Sequence, residues 1–306
     1  GTWSRESGSG ADDLFVICTN LGEVLVYTGA NPGDSTWTLV GKFSIPKALG
    51  RRAGFNLGSD FVVLTEQGAV PLSTVLLSGQ VGSYSTVTDK IQDAFRDAAV
   101  NNGDDFGWQG TVYPRSNMLV INVPTAEDVT ADQYVMNTLT GAWCRFTGQQ
   151  AVSWVTHNEK LYFGGATGIV YEADVGTDHD GANIPYLVRQ AFIYPNGDRV
   201  RSKQFLLGKP VLKESTEMNL SYEIDTDYDH VPLNQNNITT GTASGETWDI
   251  AEWDVATWGA DSTFTDSWRN ICGVGRAVSI KIGGEASGVS MDIFGNTMVY
   301  QPGGLL

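Results

Sequence analysis

The chain has 306 residues, 41% of them hydrophobic and only 18% charged, with 36 glycines, nine tryptophans and eleven tyrosines. This balance excludes a disordered chain and predicts an all-β protein of short strands and tight turns, long enough for two domains that each bury a core. The formal charge of -16, with 16 acidic and 10 basic residues through Tyr171 and 19 and 9 beyond it, argues against a surface built to grip phosphate backbones.

One phrase is written three times along the first half: an apolar run, a turn ending in glycine, and a second apolar run. The first copy is Leu14 to Ile17, the turn Thr19-Asn20-Leu21-Gly22, and Val24 to Tyr27. Each copy predicts a β-hairpin, because glycine adopts positive φ without steric cost and β-branched or aromatic residues suit a pleated ribbon. Trp37 to Phe43 follows as a further strand, and the adjacent pair Arg51-Arg52 reads as an ion-pairing element toward a neighbouring blade or subunit rather than a basic patch. The second copy is Phe61 to Leu64, Gly68 and Val70. One inserted helix is predicted over 87–99, with Val87, Ile91, Phe95 and Ala98 or Ala99 on one face, a capping box at Thr86 and Asp89, and a stop at Asn101-Asn102-Gly103. It is read either as a partner-docking element or as a lid over one end of a barrel. Residues 106–146 read as an irregular blade ending in the tryptophan strand Trp143 to Phe146. Strands at 151–157 and 160–164 lead into the third copy, around Gly168.

Gly22 and Gly68 are 46 residues apart, and Gly68 and Gly168 are 100 apart. Periods of about 40 to 50 residues belong to β-propellers, whose blades bury their faces only by stacking on neighbours. A β-propeller over 1–175 is therefore expected, in preference to an ordinary antiparallel sandwich with glycine turns. Because Gly1-Thr2-Trp3 enters a blade-like hairpin at once, the propeller is expected to be incomplete at the N-terminus. A polar joint at Gly176 to Ala182 ends the blade markers. Runs at 186–194, 203–212, 217–224, 277–282 and 290–300 predict a β-sandwich-like domain over 183–306. Within it Trp248, Trp253, Trp258 and Trp268 punctuate a polar loop, more in keeping with packing onto the sandwich than with ligand binding.

Catalytic, cofactor and metal residues are all expected to be absent. His157, His179 and His230 stand near no nucleophile motif. Cys18, Cys144 and Cys272 are too far apart for a thiol metal site and do not suggest a disulfide framework, and Cys18 and Cys144 read as buried thiols. Asp225, Asp227 and Asp229 open like a calcium loop, but His230 and Asn236 occupy positions that need glycine and glutamate, so a solvated strand edge or turn fits better. Thr36-Trp37 and Gly245 to Trp248 end like the Asp-box of sugar-cleaving propellers, with Pro32 and Ala243 in place of the aspartate. A carbohydrate-binding or glycosidase-type propeller is therefore the alternative rather than the first reading. No apolar run reaches membrane-spanning length, so no membrane anchor is expected.

Val40 to Phe43 leading to Gly50-Arg51-Arg52-Ala53-Gly54, then Asp60 to Ser73, resembles the propeller region of the tail nozzle or hub proteins of short-tailed bacteriophages, the group that includes DNA-stabilisation proteins. The ending Asn296 to Gly304 is similar to the end of those proteins. The resemblance implies a structural virion protein, made in the host cytoplasm, with no enzymatic activity. It further implies a homo-oligomeric ring, a hexamer, contacting tail adaptor or portal-side proteins and tail fibres or needle, which retains packaged double-stranded DNA and conducts it during ejection. An acidic channel wall would keep phosphate from adhering during transit.

Overall fold

The structure, a computed structural model, describes residues 2–4, 13–29, 31–78, 86–215, 218–233, 237–240, 263–265 and 267–303. They are mostly strand, arranged in small antiparallel sheets, and the chain divides into two compact units, Gly1–Val175 and Gly176–Leu306.

In the first unit every strand pairs with its neighbour in sequence. The first sheet comprises β1 (Thr2–Ser4), β2 (Asp13–Cys18), β3 (Glu23–Thr28) and β4 (Thr38–Ser44). The second comprises β5 (Gly54–Leu57), β6 (Asp60–Thr65) and β7 (Gly68–Pro71), and is followed by helices α1 (Leu72–Ser78) and α2 (Gln92–Asn102). The third comprises β8 (Gln109–Tyr113), β9 (Met118–Ala126), β10 (Thr130–Asn137) and β11 (Trp143–Phe146), and the fourth β12 (Ala151–His157), β13 (Lys160–Gly165) and β14 (Val170–Ala173).

The three glycine turns occupy matching places. Gly22 (φ 83°), Gly68 (φ 137°) and Gly168 (φ 82°) each lie where the second and third strands of their sheet are joined. At Gly22 a side chain has no room either, since a Cβ there would fall 2.0 Å from the Ile45 carbonyl oxygen. In the third sheet the equivalent turn, between β9 and β10, takes its left-handed residue from Asp128 (φ 54°) instead, so the sequence shows no glycine phrase there. The two tryptophan strands also match: Trp37 immediately precedes β4 and Trp143 opens β11, each the fourth strand of its sheet.

The sheets stack by sharing apolar cores. Val16, Val24 and Val26 of the first, Phe61, Val63 and Leu64 of the second, and Leu119, Ile121 and Met136 of the third form one cluster. The alternate residues of the third sheet, Val120 and Val135, join Trp154, Leu161 and Phe163 of the fourth in another. Alternation thus buries both faces of β9 and β10, each fully buried apolar side chain adding about 1.5–3 kcal/mol. Buried amides join the third sheet to the fourth. The Asn122 Nδ2 donates to the Ala151 carbonyl at 2.9 Å, and its Oδ1 accepts from the Trp154 indole at 2.9 Å and from Gln133 Nε2 at 3.0 Å. Gln109 Nε2 donates to the Trp154 carbonyl while its Oε1 accepts the Trp154 N–H, so one side chain replaces a rung of ladder between β8 and β12.

Two corrections concern helices. The segment expected to form a helix over 87–99 opens as a 3-10 turn at Asp89–Ile91 and becomes α-helical only at Gln92, running on to Asn102. The capping box is half made: the Thr86 N–H donates to Asp89 Oδ1 at 3.0 Å, but the Thr86 hydroxyl also donates to that oxygen, at 2.5 Å, instead of accepting from the backbone. The α2 face carrying Phe95 and Ala99 is spent on the core shared with the first three sheets. Helix α1, too short to show a helical period, was not foreseen. The segment entering α2 also shields the second sheet, Val87 N–H donating to the Ala69 carbonyl and Thr88 Oγ1 accepting from Ala69 N–H.

The second unit is built from β15 (Ile184–Arg189), β16 (Lys203–Glu214), β17 (Asn219–Thr226), β18 (Asn237–Thr239), β19 (Thr263–Thr265), β20 (Arg269–Gly275), β21 (Val278–Ala286) and β22 (Met291–Pro302). One sheet has the order β15-β21-β17-β18. In the other, β16 pairs with β22 along its length and with β20 and β19 in succession. Leu220, Tyr222, Ile280 and Ile282 of the first share a core with Phe205, Leu212 and Ile271 of the second. Burial pushes the Tyr222 hydroxyl up to about 12. Strand β20, with its bulge opposite Phe205 and Leu207, escaped the sequence reading.

Candidate functional site

A cleft of about 610 Å³ in the first unit is lined by Cys18 on β2, Phe61 and Val63 on β6, Lys47 and Arg51 on the connection between β4 and β5, and Asp104 beyond α2. Lys47 is engaged, whereas Arg51 has no acidic partner among the described residues. Lys47 Nζ lies 2.9 Å from Asp104 Oδ1 and 3.4 Å from Glu66 Oε1, and the hydrogen bond to Asp104 leads the causes that raise its pKa. Burial pushes the Cys18 thiol up, which disfavours the nucleophilic thiolate. These groups provide no convergent acid, base and nucleophile.

The first sheet leaves one face uncovered. Leu14, Val16, Val24 and Val26 point inward, while Phe15 and Ile17, each 39% exposed, pair directly with Tyr27 and Leu25 on the opposite face. Trp37 stacks on Tyr27 at 5.4 Å and tilts against Phe15 at 5.8 Å, which fixes an aromatic surface on that side.

The second unit holds the densest polar arrangement. Adjacent strands bring Arg189 and Glu223 into register with Lys281, and Asp225 follows two residues after Glu223 on the same face. The Asp225 carboxylate is completely buried and the Lys281 side chain is 1% exposed. Lys281 Nζ reaches Asp225 Oδ1 at 2.9 Å, Glu223 Oε2 at 3.2 Å and the Val231 carbonyl at 2.6 Å. Arg189 Nε and His230 Nδ1 both meet Asp225 Oδ2, each at 3.3 Å. Burial alone pushes the Asp225 carboxyl up, but the hydrogen bonds from Lys281 and His230 outweigh it and hold the group below the ordinary carboxylate range.

An exposed aromatic group surrounds this ionic base. Asp227 (φ 51°) and Tyr228 (φ 67°) form a turn of two left-handed residues closed by the Asp229 N–H donating to the Thr226 carbonyl. A bulky side chain rarely adopts that conformation. Three contacts hold it: Asp227 Oδ1 accepts the N–H groups of Arg276 and Ala277 at 2.7 and 2.9 Å, Tyr228 packs on Phe192 with centroids 4.5 Å apart, and the Tyr228 and Tyr194 hydroxyls are 3.3 Å apart. The His230 ring lies 5.5 Å from Phe192, and the Arg199 guanidinium 5.2 Å over Tyr194.

The residues singled out in the sequence are therefore dispersed. Asp225, Asp227 and Asp229 do not form a cation loop: the first is the buried centre of an ion network, the second clamps backbone, and the third is exposed. No cluster of His, Cys, Asp or Glu suited to a metal occurs among the described residues. Arg52 lies over the Phe106 ring at 5.4 Å, a cation–π contact, and no acid of a neighbouring sheet pairs with it among the described residues. Cys144 is exposed, not buried, because its strand is an edge. Trp268 is half exposed with Lys209 Nζ 5.7 Å over its ring, while Trp248, Trp253 and Trp258 lie outside the described residues. Phe192, Tyr194, Tyr228 and Lys281 were missed, since only the fold brings these separated positions together. No protein-family model matches the chain, and no curated protein matches it significantly.

Proposed function

We propose that the chain is a structural virion protein of a short-tailed bacteriophage, part of the tail nozzle or hub ring that retains packaged DNA and conducts it during ejection, without enzymatic activity of its own. In this reading the first unit consists of β-propeller blades and the second is sandwich-like. The observation that carries it is the run of four sequential antiparallel sheets stacked through common cores. The first strands of the later sheets lie side by side: Arg52, just before β5, bridges to Gln109 of β8, and Gln109 is bonded to Trp154 of β12. Radially arranged blades place their innermost strands in this relation. The uncovered aromatic face of the first sheet suits a contact with a neighbouring copy in a ring.

The acidic-channel idea narrows accordingly. Strands β1, β5, β8 and β12 contain no Asp, Glu, Lys or Arg, so an acidic bore in the ring would be lined by other surfaces. Reconstruction of intact particles of the encoding phage tests the reading. Copies in a ring below the portal, with negative potential along the bore, are expected. Absence of the chain from purified particles by mass spectrometry overturns the assignment, and a basic bore removes the proposed role of the acids.

A further inference from the structure

We propose that the turn at Tyr228 is a binding site for a saccharide carrying a carboxylate, with Tyr228 as the stacking platform and Arg199 and His230 as its polar contacts. This site lies wholly in the second unit and does not depend on the particle assignment.

Four observations converge on it. Tyr228 is 59% exposed although it sits in a backbone conformation that glycine or asparagine fills at less cost, so an unfavourable residue is held at the surface by surrounding bonds. One side of its ring is backed by Phe192 and its hydroxyl is tied to Tyr194, which fixes the ring in advance of binding. The His230 side chain is 52% exposed, and its Nδ1 is engaged by a carboxylate that is itself completely buried. That contact favours the Nδ1–H tautomer and leaves Nε2 for an outside partner. The Arg199 guanidinium rests on Tyr194 and has no carboxylate partner among the described residues. The nearest acid in sequence, Asp198, accepts instead from the N–H groups of Val200 and Arg201, at 2.9 and 3.2 Å.

A pyranose ring presents an apolar C–H face beside hydroxyl groups, which matches a stacked ring flanked by an imidazole and paired phenols. A carboxylate on that sugar would take the fork of Arg199. An apolar peptide would leave the guanidinium unpaired, and a single guanidinium with Asp227 and Asp229 in the neighbouring turn of a protein of charge -16 suits one carboxylate better than the repeated charges of a polyphosphate chain.

The test is saturation-transfer NMR on the full chain with three probes: a glucuronate-containing tetrasaccharide, its analogue with the carboxylates reduced to hydroxymethyl groups, and a dT4 oligonucleotide. Transfer to the ring protons of the acidic sugar is expected, with the reduced analogue about tenfold weaker. Tyr228→Phe keeps binding. Tyr228→Gly abolishes it with only a small fall in the thermal midpoint, because the relief of the left-handed backbone offsets part of the lost packing on Phe192. Arg199→Gln, at an exposed position, brings the acidic sugar down to the level of the reduced one. The proposal is overturned if the acidic sugar shows no preference over its analogue, if only dT4 binds, or if either Tyr228→Gly or Arg199→Gln binds the acidic sugar as the unmodified chain does.

Discussion

The two units tie their strands together, between sheets in the first and within one sheet in the second, with different chemistry. In the first, neutral amides do it: Asn122, Gln133 and Gln109 bond to backbone and to the Trp154 indole across the third and fourth sheets. In the second, charges buried to the same depth, Asp225 and Lys281, tie neighbouring strands and the segment after β17 together. A neutral network loses only hydrogen bonds when one member is removed, whereas an ionic one leaves a charge without compensation. The units should therefore differ in how severely, and at what pH, they fail.

The largest effect is expected at Asp225→Ala, which takes the nearer carboxylate from the buried Lys281 ammonium, leaves it with Glu223 and the Val231 carbonyl, and should cost about 3 kcal/mol in denaturant unfolding. The double change Asp225→Ala with Lys281→Met should recover much of that loss, and a double variant as unstable as the single one would show that charge is not the cause. Asn122→Ala should cost about 2–3 kcal/mol, because the buried Trp154 indole N–H loses its acceptor and Gln133 Nε2 loses one of its partners. Hydrogen exchange should place that loss in β9 and β12, and a loss spread evenly over both units would erase the contrast.

Acid sharpens the comparison further. The Asp225 carboxyl has a lower pKa folded than unfolded, so the native state binds fewer protons there. Its stabilisation is present above about pH 4 and disappears as pH falls through the lowered value. Exchange protection of β17 and β21, corrected for intrinsic rates, should fall in that range, while the amide network, which has no titrating member, should show no matching step. The smallest effect is expected at Trp37→Ala on the uncovered face of the first sheet, about 1 kcal/mol or less in the isolated chain. A much larger loss would mean that this face is integral to the monomer.

The strand plan of the first unit was largely legible because its pairings are local. Each hairpin had to declare its own turn, and the tryptophan strands kept their place after the hairpins. Legibility stopped where another residue type filled a structural role, as Asp128 did for glycine, and where an element was too short to show a period, as with Leu72–Ser78. In the second unit the alternation of β17 and β21 marked them as strands, but nothing along the chain announced that Asp225 faces Lys281 or that Phe192 backs Tyr228. Those contacts join positions 56 and 36 residues apart, and they follow from sheet order, which a pattern of two-residue alternation does not encode.

The contrast in pairing order also bears on synthesis at the ribosome. Since each strand of the first unit finds its partner in the residues just made, that unit can form progressively while translation continues. Strand β16 must instead wait for β22, whose first residue comes 77 positions after the last of β16, and β15 must wait for β21. The long gap leaves two strand edges open in the nascent chain, and a chaperone would have most to protect there.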